Sequence, residues 1–272
     1  MPDHTKYVLV LTIVCVLPVW AGLDDDWRNL YSLASNAVAL KDYPKADALY
    51  SKALQDAELF GKADLRVATT LQGQASLQHS EKRLTEAEDT ARRALGILIT
   101  NPGQDSIEYG QGQFTLAGIL LDEGKYQPAL DAIRKALPLI EANVGPDDVE
   151  TADAICMQGD AFRLLKMYAS AEAPLKRCAD LRVDNNGVGT AEFGEAANSL
   201  ALVYQHLGQY KEADRYFTYA AKIREIALGI MSPALADTLE AHALLLHQLG
   251  RDAEAKQKER MASAIRARTG KK

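Results

Sequence analysis

The sequence has few of the residues from which most catalytic and metal centres are built. Among 272 residues there are 5 His and 3 Cys. No His-Glu-x-x-His occurs, and His242 and His247 are five apart, the wrong spacing for one helical face. A metal site is therefore not expected. The glycines at 103 and 110–112 lack the lysine and the preceding strand that a phosphate-binding loop requires. No nucleophile elbow is present. Aromatic residues make up 7 %, with 2 Trp and 5 Phe, while alanine is abundant, a balance that favours closely packed helices over sheets. A formal net charge of −6 argues against a nucleic-acid partner. The only strongly basic run, Arg266-Ala-Arg-Thr-Gly-Lys-Lys272, reads as a solvated terminus. No Asn-x-Ser/Thr sequon occurs, so glycosylation gives no sign of a eukaryotic secretory route.

The one long apolar run lies at the start. Tyr7 to Trp20 is almost wholly apolar, preceded by a short segment with one lysine and followed by Ala21-Gly22 and the acidic Leu23-Asp-Asp-Asp26. This is the order of a secretory signal peptide over residues 1–22, with Val19 and Ala21 as the small recognition residues and a cut after Ala21. Fourteen residues interrupted by Pro18 are short for a bilayer span, and an uncleaved anchor is the alternative. The chain is expected to be exported, periplasmic or secreted, and to meet a membrane only through this segment.

What the remaining chain has is a period. Positions 43, 84, 126, 168, 210 and 252 head six similar stretches, including Gly124-Lys-Tyr-Gln-Pro-Ala129 and Gly208-Gln-Tyr-Lys-Glu-Ala213, at spacings of 41, 42, 42, 42 and 42 residues. A repeat of this length predicts a stacked architecture. Three further positions hold small residues in all six copies. They are Ala34, Ala75, Ala117, Gly159, Ala201 and Ala243; then Ala46, Ala87, Ala129, Ala171, Ala213 and Ala255; then Ala53, Ala94, Ala136, Cys178, Ala220 and Ala262. Helix axes approach to the short end of the usual range, roughly 8 Å, only where contacting side chains are small. Each period is thus expected to contain helices A and B joined by a tight turn, with Gly208 taking a positive φ at a helix end.

These residues resemble the tetratricopeptide repeat. The period, with Val144-Gly-Pro-Asp-Asp-Val149, Asn198-Ser-Leu-Ala201 and Ala171-Glu-Ala-Pro-Leu-Lys-Arg177, is similar to the longer kinesin light chain variety. The resemblance covers residues 27–268 and departs at Leu84 and Asp252, which replace the turn Tyr, and at Ala91 and Glu259, which replace an aromatic of helix B. It implies an all-α, right-handed α-solenoid over 23–272, with repeats near 27–60, 62–100, 105–142, 147–184, 190–228 and 233–268. The polar helix B of repeat six fits the wettable face of a terminal repeat. Pro138 is expected to shorten or kink its helix.

The resemblance also implies a concave groove lined by helix A residues. By its spacing these are Arg28, Tyr31, Gln72, His79, Phe114 and Leu121, then Asp153, Asp160, Arg163, Glu195, Asn198, Leu202, Gln205, Asp237, Glu240 and His247. Asn198 aligns with the residue that binds an extended peptide backbone in the family. The groove reads as apolar around Phe114 and Leu121 and acidic from Asp153 to Glu240. The leading expectation is a scaffold that binds a protein or peptide segment carrying basic residues. The alternatives are an accessory envelope subunit working through its convex face or edges, and a small-ligand or enzymatic solenoid. No cofactor and no catalytic residue are expected. Cys156 and Cys178 lie 11 residues either side of the repeat-four turn near residue 167, so antiparallel helices bring them level. They could form a disulfide in an oxidising compartment, or remain two small buried thiols.

Overall fold

The computed structural model describes residues 5–187 and 189–270, with side chains from Gly22 onward apart from Asn186. Among the described residues there are twelve α-helices and no strand. They divide into two compact units, Met1–Glu123 and Gly124–Lys272.

The first unit holds α1 (Thr5–Ala39), α2 (Tyr43–Glu58), α3 (Leu65–Ser80), α4 (Leu84–Leu98) and α5 (Ile107–Asp122). Each packs on its neighbour in sequence, and α3 also touches α1 and α5. The second unit holds α6 (Tyr126–Val144), α7 (Val149–Leu164), α8 (Tyr168–Asn186), α9 (Ala191–His206), α10 (Tyr210–Leu228), α11 (Pro233–Gln248) and α12 (Asp252–Thr269). Consecutive helices pack there too, and α9 touches both α7 and α11. Consecutive contacts with an added contact two helices on are those of an all-α solenoid.

The small-residue rule explains this packing. All eighteen small positions are buried. At Gly159 an added Cβ would lie 2.5 Å from Leu175 Cγ and 3.1 Å from the Leu175 backbone nitrogen, so not even alanine fits there without movement. Between these seams the larger apolar residues fill the core. Phe217, fully buried, joins Leu175, Leu200, Val203 and Leu245 in the second unit.

The six tight turns share one backbone. Lys41, Lys82, Gly124, Lys166, Gly208 and Gly250 have φ of 59°, 62°, 76°, 60°, 74° and 71°. Glycine reaches this left-handed region without strain, and lysine does so at a cost. Starts of A helices repeat as well. Asp64, Ser106, Asp148, Thr190 and Ser232 stand 42 residues apart at helix N-caps. The first four accept a backbone N–H with their side chains, satisfying a donor that the helix leaves unpaired.

Pro138 does not shorten its helix. α6 runs for 19 residues, as do α8 and α10. Packing along Ala132, Ile133, Ala136 and Ile140 outweighs the one lost hydrogen bond. The signal-peptide segment and its cut after Ala21 concern residues 1–21, whose side chains lie outside the described residues. Among the described residues no helix is long and apolar enough to cross a membrane.

Candidate interaction surface

In the first unit the candidate groove residues sit on α1, α3 and α5, and most are tied to neighbours. Arg28 is exposed and pairs with Asp24 at 2.7 Å. Tyr31 turns toward the core, its ring 5.9 Å from Trp27 and 5.6 Å, edge-on, from Tyr50. Gln72 donates to the backbone carbonyl of Glu108 at 3.1 Å, stitching α3 to α5. His79 meets Asp122 at 3.0 Å, and Lys82 reaches the same carboxylate at 2.8 Å. Burial works against the charge of Asp122, but the hydrogen bonds from Lys82 and His79 outweigh it and hold the carboxyl below its usual range. Phe114 and Leu121 are half-buried.

In the second unit the candidates sit on α7, α9 and α11, and the acidic ones meet two arginines that the sequence reading left out, Arg182 and Arg224, and one, Arg266, that it assigned to a solvated terminus. Asp153, Glu195 and Asp237 are 42 residues apart, and so are Arg182, Arg224 and Arg266 near the C-terminal ends of α8, α10 and α12. Arg182, 9 % exposed in its side chain, pairs with Asp153. Arg266 pairs with Asp237, and at 3.2 Å with Glu240. Testing the repeat period on charged residues as well as small ones would have found this ladder.

Its middle rung is different. Arg224 is buried and donates to the carbonyl of Ala234 at 2.8 Å and to Thr238 Oγ1 at 2.7 Å. Thr238 Oγ1 in turn lies 3.0 Å from Asn198 Oδ1, so the Asn198 amide oxygen is already engaged. Among the described residues Glu195 has no hydrogen-bonded partner, and it is exposed at its surface yet crowded by neighbouring atoms. Burial raises its carboxyl pKa, the Asp160 carboxylate adds to this, and Arg224 and Arg182 pull the other way.

Asp160 is held by Arg163 at 2.8 Å and by the Ser199 hydroxyl at 2.8 Å. Gln205 donates to Gln248 at 3.0 Å. His247 lies between Asp252 at 2.6 Å and Glu259 at 3.0 Å, whose hydrogen bonds raise its pKa. Leu202 is half-buried on the core side, and Leu244 is 64 % exposed. The Cys156 and Cys178 sulfurs are at disulfide distance, 2.03 Å, and their Cα atoms are 5.0 Å apart, which joins α7 to α8. Among the described residues no group of three or more His, Cys, Asp or Glu is placed to hold a metal ion.

Two cavities accompany these rows. One of about 300 Å³ in the first unit lies among Asp24, Arg28, Asp64 and Arg66, whose charges pair with one another. The other, of about 560 Å³ in the second unit, is lined largely by apolar side chains between the start of α9 and the end of α10.

Known proteins of the same architecture were compared. No curated protein matches the chain. Among solved structures, PilW, a widely conserved type IV pilus biogenesis factor, is 20 % identical with a TM-score of 0.65, over 90 % of this chain and 94 % of that one. BtubC (BKLC) from P. vanneervenii is 18 % identical with a TM-score of 0.64, over 92 % and 93 %. A putative kinesin light chain from Podosopora anserina, with nearly identical repeats, is 16 % identical with a TM-score of 0.61, over 75 % and 97 %. The family model for the tetratricopeptide repeat matches residues 28–99, 110–182 and 192–268. With that match over most of its length, the chain belongs to the tetratricopeptide repeat family.

Proposed function

We propose that the protein is an exported, non-enzymatic scaffold that holds a basic segment of a partner protein against the inward row of α9 and α11. The observation that carries this reading is Glu195. Among the described residues the other acidic candidates Asp153, Asp160, Asp237 and Glu240 are hydrogen-bonded within the unit, whereas Glu195 has no hydrogen-bonded partner. Beside it Leu202 and the exposed Leu244 offer apolar contact. A lysine or arginine of the partner would pair with Glu195 and an adjacent apolar side chain would cover Leu244, a combination that couples charge selection to burial. Asn198 is less suited to gripping a peptide backbone, because its amide oxygen is engaged by Thr238.

Export is supported by the signal-peptide order of residues 1–22. N-terminal sequencing of the native protein tests it: an intact Met1 in the membrane fraction counts against cleavage.

Affinity capture from the native cell envelope tests the binding reading. Glu195→Gln, which removes the charge without adding a cation beside the buried Arg224, and Leu244→Asp at an exposed position are expected to lose the captured partner. Capture unchanged by either removes the row of α9 and α11 from consideration. Asp153 and Asp160 are poor probes, since reversing either disrupts an internal ion pair.

A further inference from the structure

The turn between α10 and α11 carries apolar residues that its geometry does not need. Gly145, Gly187 and Gly229 recur at 42-residue spacing with φ of 101°, 81° and 84°, and the N-caps Asp148, Thr190 and Ser232 follow each by three. Between glycine and cap the first of these turns has Pro146-Asp147, which is polar and exposed. The third has Ile230-Met231, 58 % and 37 % exposed, in the same backbone. The helix that leads into it exposes Tyr219 at 47 % and Ile226 at 67 %. A solvated turn gains nothing from such residues, and a contiguous exposed apolar patch marks a contact site.

The patch borders the cavity of about 560 Å³. Phe193 from the first turn of α9 and Ile223, Tyr219 and Ile226 from α10 give it apolar walls, and Gly189 leaves one side without a side chain. Lys222 is the one charged residue of the lining. It forms no ion pair among the described residues, although its neighbour Arg215, two turns back on α10, pairs with Glu212 at 2.8 Å. The volume falls within the roughly 300–1,000 Å³ typical of small-ligand sites.

We propose that this cavity is a binding site for a small amphiphile with an apolar chain and a single carboxylate, a free medium-chain fatty acid being the simplest. The apolar walls take the chain, which the hydrophobic effect drives out of water. One unpaired ammonium matches one negative charge, and no carboxylate in the lining opposes it. The lining uses none of Glu195, Leu202 or Leu244, so the site is tested separately from the scaffold reading.

Methyl and aromatic NMR of the full-length protein titrated with decanoate, below its micelle concentration, tests this. Decanoate is expected to shift the Ile223, Ile226 and Phe193 signals saturably, while decyltrimethylammonium does not. Lys222→Glu is expected to weaken decanoate binding by about tenfold or more, and Lys222→Arg to keep it. Ile226→Asp, at an exposed position that leaves folding intact, is expected to abolish it. Equal shifts with the cationic amphiphile, or binding indifferent to Lys222→Glu, overturn the carboxylate assignment. Unmoved signals with decanoate overturn the site. If phosphatidylglycerol vesicles then broaden those same signals, the edge is a membrane contact instead.

Discussion

Where the second unit has Arg182, Arg224 and Arg266, the first has Ala57 and Leu98 at the equivalent places, both fully buried. Where the second has Asp153, Glu195 and Asp237, the first has Arg28, Thr69 and Gln111. Acid and arginine therefore arrive together or not at all, 29 residues apart within a period, as 182 is from 153 and 98 is from 69. The same position is filled by an apolar side chain at Ala57, Leu98 and Ile140 and by arginine at 182, 224 and 266, of which Arg182 and Arg266 form ion pairs. That follows from the energetics: exchanging a buried pair for well-packed apolar side chains is often near neutral, whereas leaving one half of the pair is not. The fold does not require the ladder, so its presence in the second unit is better explained by what that surface does. The first unit ties its helices elsewhere, with charged pairs such as Arg66–Asp24 and Lys82–Asp122 and with uncharged bonds such as Trp27 Nε1 donating to Thr70 Oγ1 at 2.9 Å and Gln72 donating to Glu108.

The largest expected effect comes from forcing half of the ladder into the first unit. Leu98→Arg places a charge at a fully buried site without an acid and should lose about 3–5 kcal/mol in urea unfolding. Adding Thr69→Asp, at the 29-residue offset, should recover part of that loss. No recovery would mean that the two units are not interchangeable at these positions. The reverse exchange, Arg182→Leu, should cost no more than about 1 kcal/mol, because Asp153 remains 41 % exposed and stays hydrated.

The second unit alone carries the cysteine pair. With a sequence separation of 22, Cys156 and Cys178 close a loop worth about 3 kcal/mol when bonded. Cys156→Ser should lower stability by that amount under oxidising conditions and change little in reductant. Mass spectrometry of the native protein showing two free thiols would remove the basis for this difference.

A smaller effect separates the units by pH. His242, almost fully buried, stacks on Phe217 and hydrogen-bonds Asp214 at 2.7 Å. Burial lowers its pKa, the Asp214 bond opposes this, and Lys258 and Arg251 add to the lowering. The unfolded chain takes up a proton near pH 6.5, whereas the folded imidazole does so only at lower pH. Stability should thus fall as pH drops below about 6.5, until the folded group also protonates. The equivalent position one repeat earlier is Leu200, so His242→Leu should fit and flatten that part of the pH profile. A slope unchanged in His242→Leu would assign it to other groups.

The sequence revealed architecture more readily than surface for a physical reason. A small residue at a helix crossing is dictated by a distance that every repeat must meet, so Ala34 to Ala262 carried the period visibly. The inward row is dictated by no such shared distance. Its helix phase was legible in the repeat spacing, which put Glu195, Asn198 and Leu202 on one row of α9. Its partners were not, because Arg182, Arg224 and Arg266 reach that face from the far end of the other helix. Tyr31 was misleading in the same way: its spacing put it on the row, and the rings of Trp27 and Tyr50 drew it inward.

The smallest effect runs through both units. Lys41 and Lys82 in the first and Lys166 in the second hold a left-handed turn that Gly124, Gly208 and Gly250 hold elsewhere. A side chain in this region costs about 1–2 kcal/mol, and glycine gives back part of the difference through its freer unfolded chain. Lys41→Gly, Lys82→Gly and Lys166→Gly should each stabilise by about 0.5 kcal/mol. If the three effects add, the triple variant should show about 1.5 kcal/mol by urea unfolding. If Lys166→Gly alone fails to stabilise, its turn is set by the cysteine-joined hairpin it closes, and the likeness between the units stops at that turn.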